Sequence, residues 1–205
     1  MRILVGCECS GKVRDAFIAL GHDAVSCDLL PSDRPGPHIQ GDLLEVLDQG
    51  WDIGIFFPPC TYLCGSGMHG TTRGVRDPKL TEDALEFVRR ILAAPIPRKA
   101  VENPVGAISS RIRKPDQIIQ PWQFGDDASK KTCLWLENLP PLAPTKIIPG
   151  RLVTLPSGKV VERWANQTDS GQNRLGPSED RWKERSETYT GVAEAMAAQW
   201  GGKAL

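Results

Sequence analysis

The chain lacks net charge, long apolar runs and paired cysteines, and each absence closes a route. Its 205 residues carry 25 basic and 25 acidic side chains, so no overall positive field draws it to a polyanion, which leaves room only for a local basic face. No stretch approaches the ~20 consecutive apolar residues that span a bilayer. Met1 to Gly6 runs straight into strand-like sequence, with too few apolar residues for a signal peptide. The six cysteines, at positions 7, 9, 27, 60, 64 and 133, show neither the C-x-x-C pairs of a zinc ribbon nor the dense spacing of a secreted disulfide scaffold. A metal site from Cys60, Cys64 and His69 would lack a second ligand pair with zinc-like spacing, so no metal is expected. Internal repeats and low-complexity tracts are also missing. These absences point to a cytoplasmic protein without membrane contact, and the length suits a single domain, 1–205, with one core.

What is present reads as alternating strands and helices. Ile3 to Gly6 is a strand. Ser10 to Leu20 follows as a helix with Val13, Phe17 and Leu20 on one face, closed by Gly21, and Ala24 to Cys27 is a second strand with Asp28 at its end. Residues 32–41 read as loop, and Asp42 to Leu47 as a short turn or helix. Cys64 to Lys79, glycine-rich and carrying Arg73 and Arg76, reads as a lid. A helix starts near Thr81 as N-cap, with Glu82 and Asp83 complementing its dipole, Arg89 and Arg90 near its end, and Leu85, Val88 and Leu92 on its buried side. Lys99 to Glu102 and Lys131 to Leu136 are further strands. Residues 138–187, rich in proline, glycine and charge, form a small irregular appendage with one hairpin, Arg151 to Leu155 and Lys159 to Arg163, around Pro156-Ser157-Gly158. Tyr189 to Trp200 closes as a helix with Val192, Met196 and Trp200 facing inward.

The segment Trp51-Asp52-Ile53-Gly54-Ile55-Phe56-Phe57-Pro58-Pro59-Cys60, continuing to Gly67, carries the strongest chemical signal. Ile53 to Phe57 has the apolar continuity of a strand covered on both faces, and Pro58 and Pro59 cannot donate ladder hydrogen bonds, so pairing stops there. Cys60 is thereby presented just beyond a strand's carboxyl end, where open α/β sheets bind ligands. The other cysteines read as structural, Cys7 and Cys9 across an extended turn, Cys27 ending a strand and Cys133 within one.

Taken in order, Val5-Gly6-Cys7-Glu8-Cys9-Ser10-Gly11, Asp28, Gly41-Asp42, Phe57-Pro58-Pro59-Cys60, Glu102-Asn103-Pro104, Phe124-Gly125 with Lys130-Lys131-Thr132, and Tyr189-Thr190-Gly191-Val192-Ala193 resemble the motif series of the DNA cytosine-5 methyltransferases over about two thirds of the chain. The resemblance implies a Rossmann-like α/β fold dependent on S-adenosylmethionine, with a mostly parallel sheet and helices on both faces. It implies a nucleophile, Cys60, on a loop shaped by Pro59; a carboxyl, Glu102, that hydrogen-bonds or protonates the base; and Asn103 holding the Cys60 loop. It assigns the cofactor to Gly6, Cys7, Ser10, Gly11, Asp28, Asp42, Pro58 and Val192, and substrate contacts to Lys130, Lys131 and Tyr62. Two departures stand out: lysines replace an arginine-rich motif, and lysine is a point charge rather than a bidentate fork; and the family's sizeable target-recognition region shrinks to roughly fifty residues around the hairpin. DNA is the implied partner, read with relaxed specificity or with a helper protein, and small chains of this kind resemble phage or prophage products acting in the bacterial host cytoplasm. Arg163, Arg174, Arg181, Lys183 and Arg185 are candidate phosphate contacts.

Other readings stay open at this point. The acceptor could be a pyrimidine nucleotide or a single strand. An amino-methyltransferase would want an aromatic where Cys60 stands. A degenerate fold would bind nucleotide or DNA without turnover. NAD is the rival cofactor, although Ser10-Gly11 completes no G-x-G-x-x-G fingerprint.

Overall fold

The computed structural model describes residues 1–65, 73–176, 178 and 185–202. His69, Arg181, Lys183, Gly67 and part of the expected lid lie outside them. Seven strands form one sheet: β1 (Arg2–Gly6), β2 (Asp23–Asp28), β3 (His38–Gln40), β4 (Ile53–Phe56), β5 (Lys99–Pro104), β6 (Gln117–Ile119) and β7 (Thr132–Glu137), in the order β3-β2-β1-β4-β5-β7-β6. β7 alone runs against its neighbours, and every other strand pair is parallel. The helices are α1 (Lys12–Ala19), α2 (Pro78–Ala93), α3 (Ala107–Arg111) and α4 (Thr190–Met196), the last continuing into a π-helical turn, Ala197–Gly201. A separate two-stranded sheet pairs β8 (Arg151–Thr154) with β9 (Val160–Arg163). The expected α/β sheet covered on both faces is therefore present.

Strand alternation explains the two layers. Ile3, Val5, Ile53, Ile55, Ala100 and Leu134 point to one face, where α1 and α4 bring Val13, Phe17, Val192, Met196 and Trp200. Leu4, Phe56, Val101, Cys133 and Trp135 point to the other, against Leu85, Val88 and Ile91 of α2 and Ile108 of α3. The chain works outward through β1, β2 and β3, then returns to the centre at β4. This reversal leaves a crevice at the carboxyl ends of β1 and β4, the place where open α/β sheets bind ligands.

Several local expectations need correction. Leu20 caps the end of α1 and is exposed rather than buried, because the helix stops one residue earlier. The stop is a Schellman motif, in which His22 N–H donates to Phe17 O and Gly21 N–H to Ile18 O, with Gly21 at φ 82°. β3 lies inside the segment read as loop; three residues bounded by prolines and glycines are too short to show a period. α2 starts at Pro78 with Asp77 as its cap, not at Thr81, and no acid lies in its first turn. Thr81 is instead on the buried stripe with Leu85, Val88 and Ile91, and Leu92 is only half-buried. α3 and β6 had no counterpart in the sequence reading, while the hairpin and the inward face of the last helix stand as expected.

Arg14 is fully buried and organises the loop between β2 and β3. Its guanidinium donates to Ser26 Oγ (3.2 Å), Ser32 Oγ (3.1 Å) and the Pro35 carbonyl (3.1 Å), and pairs with Asp15 at 2.8 Å. A Cβ on Gly36, at φ 145°, would sit 2.8 Å from this guanidinium, so the loop closes tightly over it. Replacing Arg14 with alanine removes the hydrogen bonds that tie Ser26, Ser32 and the Pro35 carbonyl together and opens a cavity. The expected cost is about 2–4 kcal/mol, visible as a lower urea midpoint at unchanged slope.

Candidate active site

The site begins where β4 and β5 run side by side. Phe56 pairs with Val101, so Pro58-Pro59-Cys60, beyond the end of β4, run on in the same direction as Glu102 and Asn103, which lie within β5 and pair with β7. Asn103, 1 % exposed, donates from Nδ2 to the Pro58 carbonyl at 2.7 Å. Below Cys60 the chain turns so that its carbonyl accepts from the Leu63 and Cys64 amides at 3.0 and 2.9 Å. The segment after β5 then grips this turn: Ala107 N–H donates to Leu63 O at 2.7 Å, and Gly65 N–H to Val105 O at 3.3 Å. Gly106 makes that approach possible, since a Cβ there would lie 1.9 Å from Leu63 O. Sequence reasoning missed Gly106; a glycine two residues after Asn-Pro was the available signal.

Cys60 is partly buried. Its thiol is pushed well above the ordinary range by a hydrogen bond with Cys64, by burial and by the charge of Glu102, while the Lys130 ammonium pulls it down. Burial raises the Glu102 carboxyl, against the opposing pull of Lys130 and a hydrogen bond with Thr132. Glu102 and Lys130 therefore each act on Cys60, and Lys130 also acts on Glu102. Glu102, Lys130 and Thr132 line a small cavity of about 20 Å³ with Phe57, Tyr189 and Val192. This is room for about one water, so a pyrimidine reaches Glu102 only if the walls part. Lys131, by contrast, is exposed and is not among the residues lining this cavity. Tyr62 is half-buried beneath the Arg76 guanidinium, 5.6 Å from its ring centre, and Arg76 also donates to Thr61 O.

The candidate cofactor residues fall into two groups. Cys7, at φ 57° where β1 ends, donates its amide to Cys27 O at 2.7 Å. Burial raises its thiol, and Asp28, Cys27 and Asp42 add to the shift, while Cys27 is pushed up to about 11 by burial and the same two acids. Asp28 and Asp42 thus converge on the ends of β1 and β2, although each carboxylate also holds a turn, accepting from Leu30 N–H and Leu44 N–H at 2.9 Å. Gly6 is a packing glycine, since a Cβ there would lie 2.6 Å from Leu43 and Phe56 side-chain atoms. Gly11, at φ 71°, starts α1. Pro58 is buried in the Asn103 contact, Pro59 is exposed, and Val192 lines the Glu102 cavity.

Ser10 has a different neighbour from the one expected. Its hydroxyl donates to Glu8 Oε1 at 2.5 Å, and that oxygen also accepts from Val13 N–H at 3.4 Å. Glu8, 5 % exposed, so caps α1 with its own carboxylate, and its second oxygen has no hydrogen-bond partner among the described residues. A pyrophosphate at this helix start would meet a carboxylate already in place, which argues against a dinucleotide. A larger groove of about 390 Å³ lies between α1 and α4, lined by Lys12, Ala16, Leu20, Ala193 and Ala197, and holds none of the candidate residues. Among the described residues no cluster of three or more His, Cys, Asp or Glu could hold a metal, and no helix is long and apolar enough to cross a membrane.

No family model matches the chain, and no curated protein matches it. Among solved structures it is similar to one described as a candidate DNA modification methyltransferase encoded within a prophage of E. coli, at a TM-score of 0.49 and 14 % identity over 73 % of this chain. The chain spans about half the length of that protein, 52 %.

The raised carboxyl predicts a pH-dependent variant. A group held neutral by the fold contributes fully below its unfolded pKa, about 4.3 for glutamate, and that contribution is lost as pH rises through the higher folded value. Glu102→Gln should match the wild type in urea stability in acid and exceed it increasingly on going to neutral pH. Equal stabilities throughout would mean that burial does not penalise this carboxylate.

Proposed function

We propose that the protein transfers a methyl group to carbon 5 of cytosine in DNA through a covalent Cys60 adduct. One observation carries this reading: the Cys60 loop leaves β4 beside Glu102 of the adjacent parallel strand β5, the two are tied by the 2.7 Å Asn103–Pro58 hydrogen bond, and they act on each other electrostatically. Carbon 5 is not nucleophilic until something adds across the neighbouring ring bond. A thiolate on Cys60 would attack carbon 6, and the displaced electron pair would be taken up toward the ring nitrogen beside the exocyclic amine, where a protonated Glu102 donates. The raised Glu102 carboxyl suits a proton donor, and Lys130 stabilises the charge that forms on Cys60. Asn103, Pro58 and Pro59 keep the sulfur in place. Once carbon 5 carries the methyl group, its proton would pass to water, the thiolate would leave carbon 6 and the ring-nitrogen proton would return to Glu102, which restores the aromatic ring and frees Cys60.

S-adenosylmethionine, when bound, supplies the electrophilic methyl group. The residues at the switch crevice fit it: Asp28 and Asp42 lie together beside Cys7 at the ends of β1 and β2, where carboxylates can accept from ribose hydroxyls and an adenine amine and balance a sulfonium charge. Carboxylates suit a cationic ligand better than a pyrophosphate. The acceptor base would be flipped into the pocket, with Lys130 and Tyr62 as candidate contacts and the hairpin region as the candidate DNA-reading part, alone or with a helper protein. Lys131, exposed and set apart, suits a phosphate contact instead.

Pure protein incubated with duplex DNA and labelled S-adenosylmethionine should yield labelled 5-methylcytosine on nucleoside digestion. Cys60→Ser should fall to background, and Glu102→Gln should lose about 10²- to 10⁴-fold in rate. Label in N-methylated bases, or label that survives Cys60→Ser, would contradict the reading. Mononucleotide and single-strand acceptors run in parallel separate DNA from nucleotide chemistry.

A further inference from the structure

Three consecutive residues that follow the hairpin grip the loop carrying Lys130. Trp164 stacks on Trp122 with ring centres 5.2 Å apart and planes within 11°. Ala165 N–H donates to Asp127 Oδ1 at 3.0 Å. Asn166 then brackets Ser129 from both sides, accepting from its amide at 2.9 Å and donating to its carbonyl at 3.0 Å. Ser129 immediately precedes Lys130, whose own carbonyl accepts from Thr132 Oγ1 at 3.2 Å. Asn166 hydrogen-bonds the Tyr189 phenol as well, and Tyr189 lines the same cavity as Glu102 and Lys130. The backbone on both sides of Lys130 is thus fixed, on one side by a side chain only three residues beyond β9.

We propose that Asn166 is a positioning residue that holds the Lys130 ammonium toward Cys60 and Glu102, so that the hairpin's placement is transmitted to the nucleophile. The inference rests on reading Cys60 as the nucleophile, and it deepens that reading by assigning a task to the region after the hairpin. A paired amide and carbonyl on one backbone residue is a two-point fixing, which a single hydrogen bond or a hydroxyl cannot reproduce. Lysine has a flexible four-carbon stem, so its charge is useful at a defined point only if its backbone is immobile. The titratable and charged groups that face Cys60 are Cys64 from its own loop, Glu102 from β5 and Lys130 from the loop before β7. Among the described residues, Lys130 is the group that favours the thiolate. Displacing it should therefore lower the thiolate fraction, and Asn166 touches neither the sulfur nor the base.

The test is the rate of Cys60 alkylation by iodoacetamide, resolved by peptide mass spectrometry between about pH 6 and 10, which needs no turnover. Asn166→Ala should move the profile to higher pH and slow alkylation about 3- to 10-fold near pH 8, with Lys130→Met doing the same and the double variant no worse than either alone. Asn166→Asp keeps the acceptor to Ser129 N–H and loses the donor, so it should fall between wild type and alanine; it decides the question by the same criteria if the alanine variant does not fold. An unmoved profile in a folded Asn166 variant, or additive effects in the double variant, would overturn the brace. If wild type methylates DNA while the profile is unmoved, only the brace fails. If the profile moves as described while wild type gives no 5-methylcytosine, the brace stands and the methyl-transfer reading fails.

Discussion

The parallel pairing of β4 with β5 is the constraint on which the site depends. Because Phe56 and Val101 are in register, the Cys60 loop leaves β4 beside the last residues of β5, and one buried β5 side chain, Asn103, bridges to the Pro58 carbonyl. Proline makes that carbonyl available, since it ends the ladder without an amide that would need its own partner. Gly106 and the Leu63 carbonyl close the other end of the same turn. The Cys60 loop is therefore held at two points, by Asn103 of β5 and by the Val105 to Ala107 segment that follows it. Removing either point frees the sulfur from the carboxyl without touching either group.

Charge is arranged unequally around this pair. At the ends of β1 and β2, burial raises the thiols of Cys7 and Cys27 and Asp28 and Asp42 add to the rise, and Glu8 closes the start of α1 with its carboxyl group. On the other side of the crevice Lys130 opposes the rise at both Cys60 and Glu102. An acidic half suits a cationic or hydroxyl-bearing ligand. A half with one cation beside a thiol and a neutral-leaning carboxyl suits an addition that creates negative charge on a ring. The cavity at Glu102 is about 20 Å³, smaller than a base.

Much of the frame was legible because strands buried on both faces read as continuous apolar runs. Ile3 to Gly6 and Ile53 to Phe57 showed this, and Pro58-Pro59 marked the end of β4 to within one residue, at Phe56. β3, β6 and α3 were not legible: none exceeds five residues, too short for a period to emerge. The start of α2 was misread because Thr81 looked like a cap, whereas Asp77-Pro78 places the cap and a first-turn proline four residues earlier. At the site, Cys60, Glu102 and Asn103 could be named from residue type and order. The roles of Cys64, Gly106, Glu8 and Asn166 could not, since each depends on what lies opposite it in space. The lysine pair separates in space, Lys130 lining the Glu102 cavity and Lys131 exposed.

The central claim, that the Cys60 sulfur adds to a cytosine held against Glu102, is most directly tested by trapping. Duplex DNA carrying 5-fluorocytosine cannot release the substituent at carbon 5, so protein incubated with it and S-adenosylmethionine should become covalently attached. The mass shift should fall on the peptide containing Cys60 and be absent in Cys60→Ser. A protein that binds this DNA and S-adenosylmethionine yet forms no adduct, or forms one at another cysteine, would contradict the account.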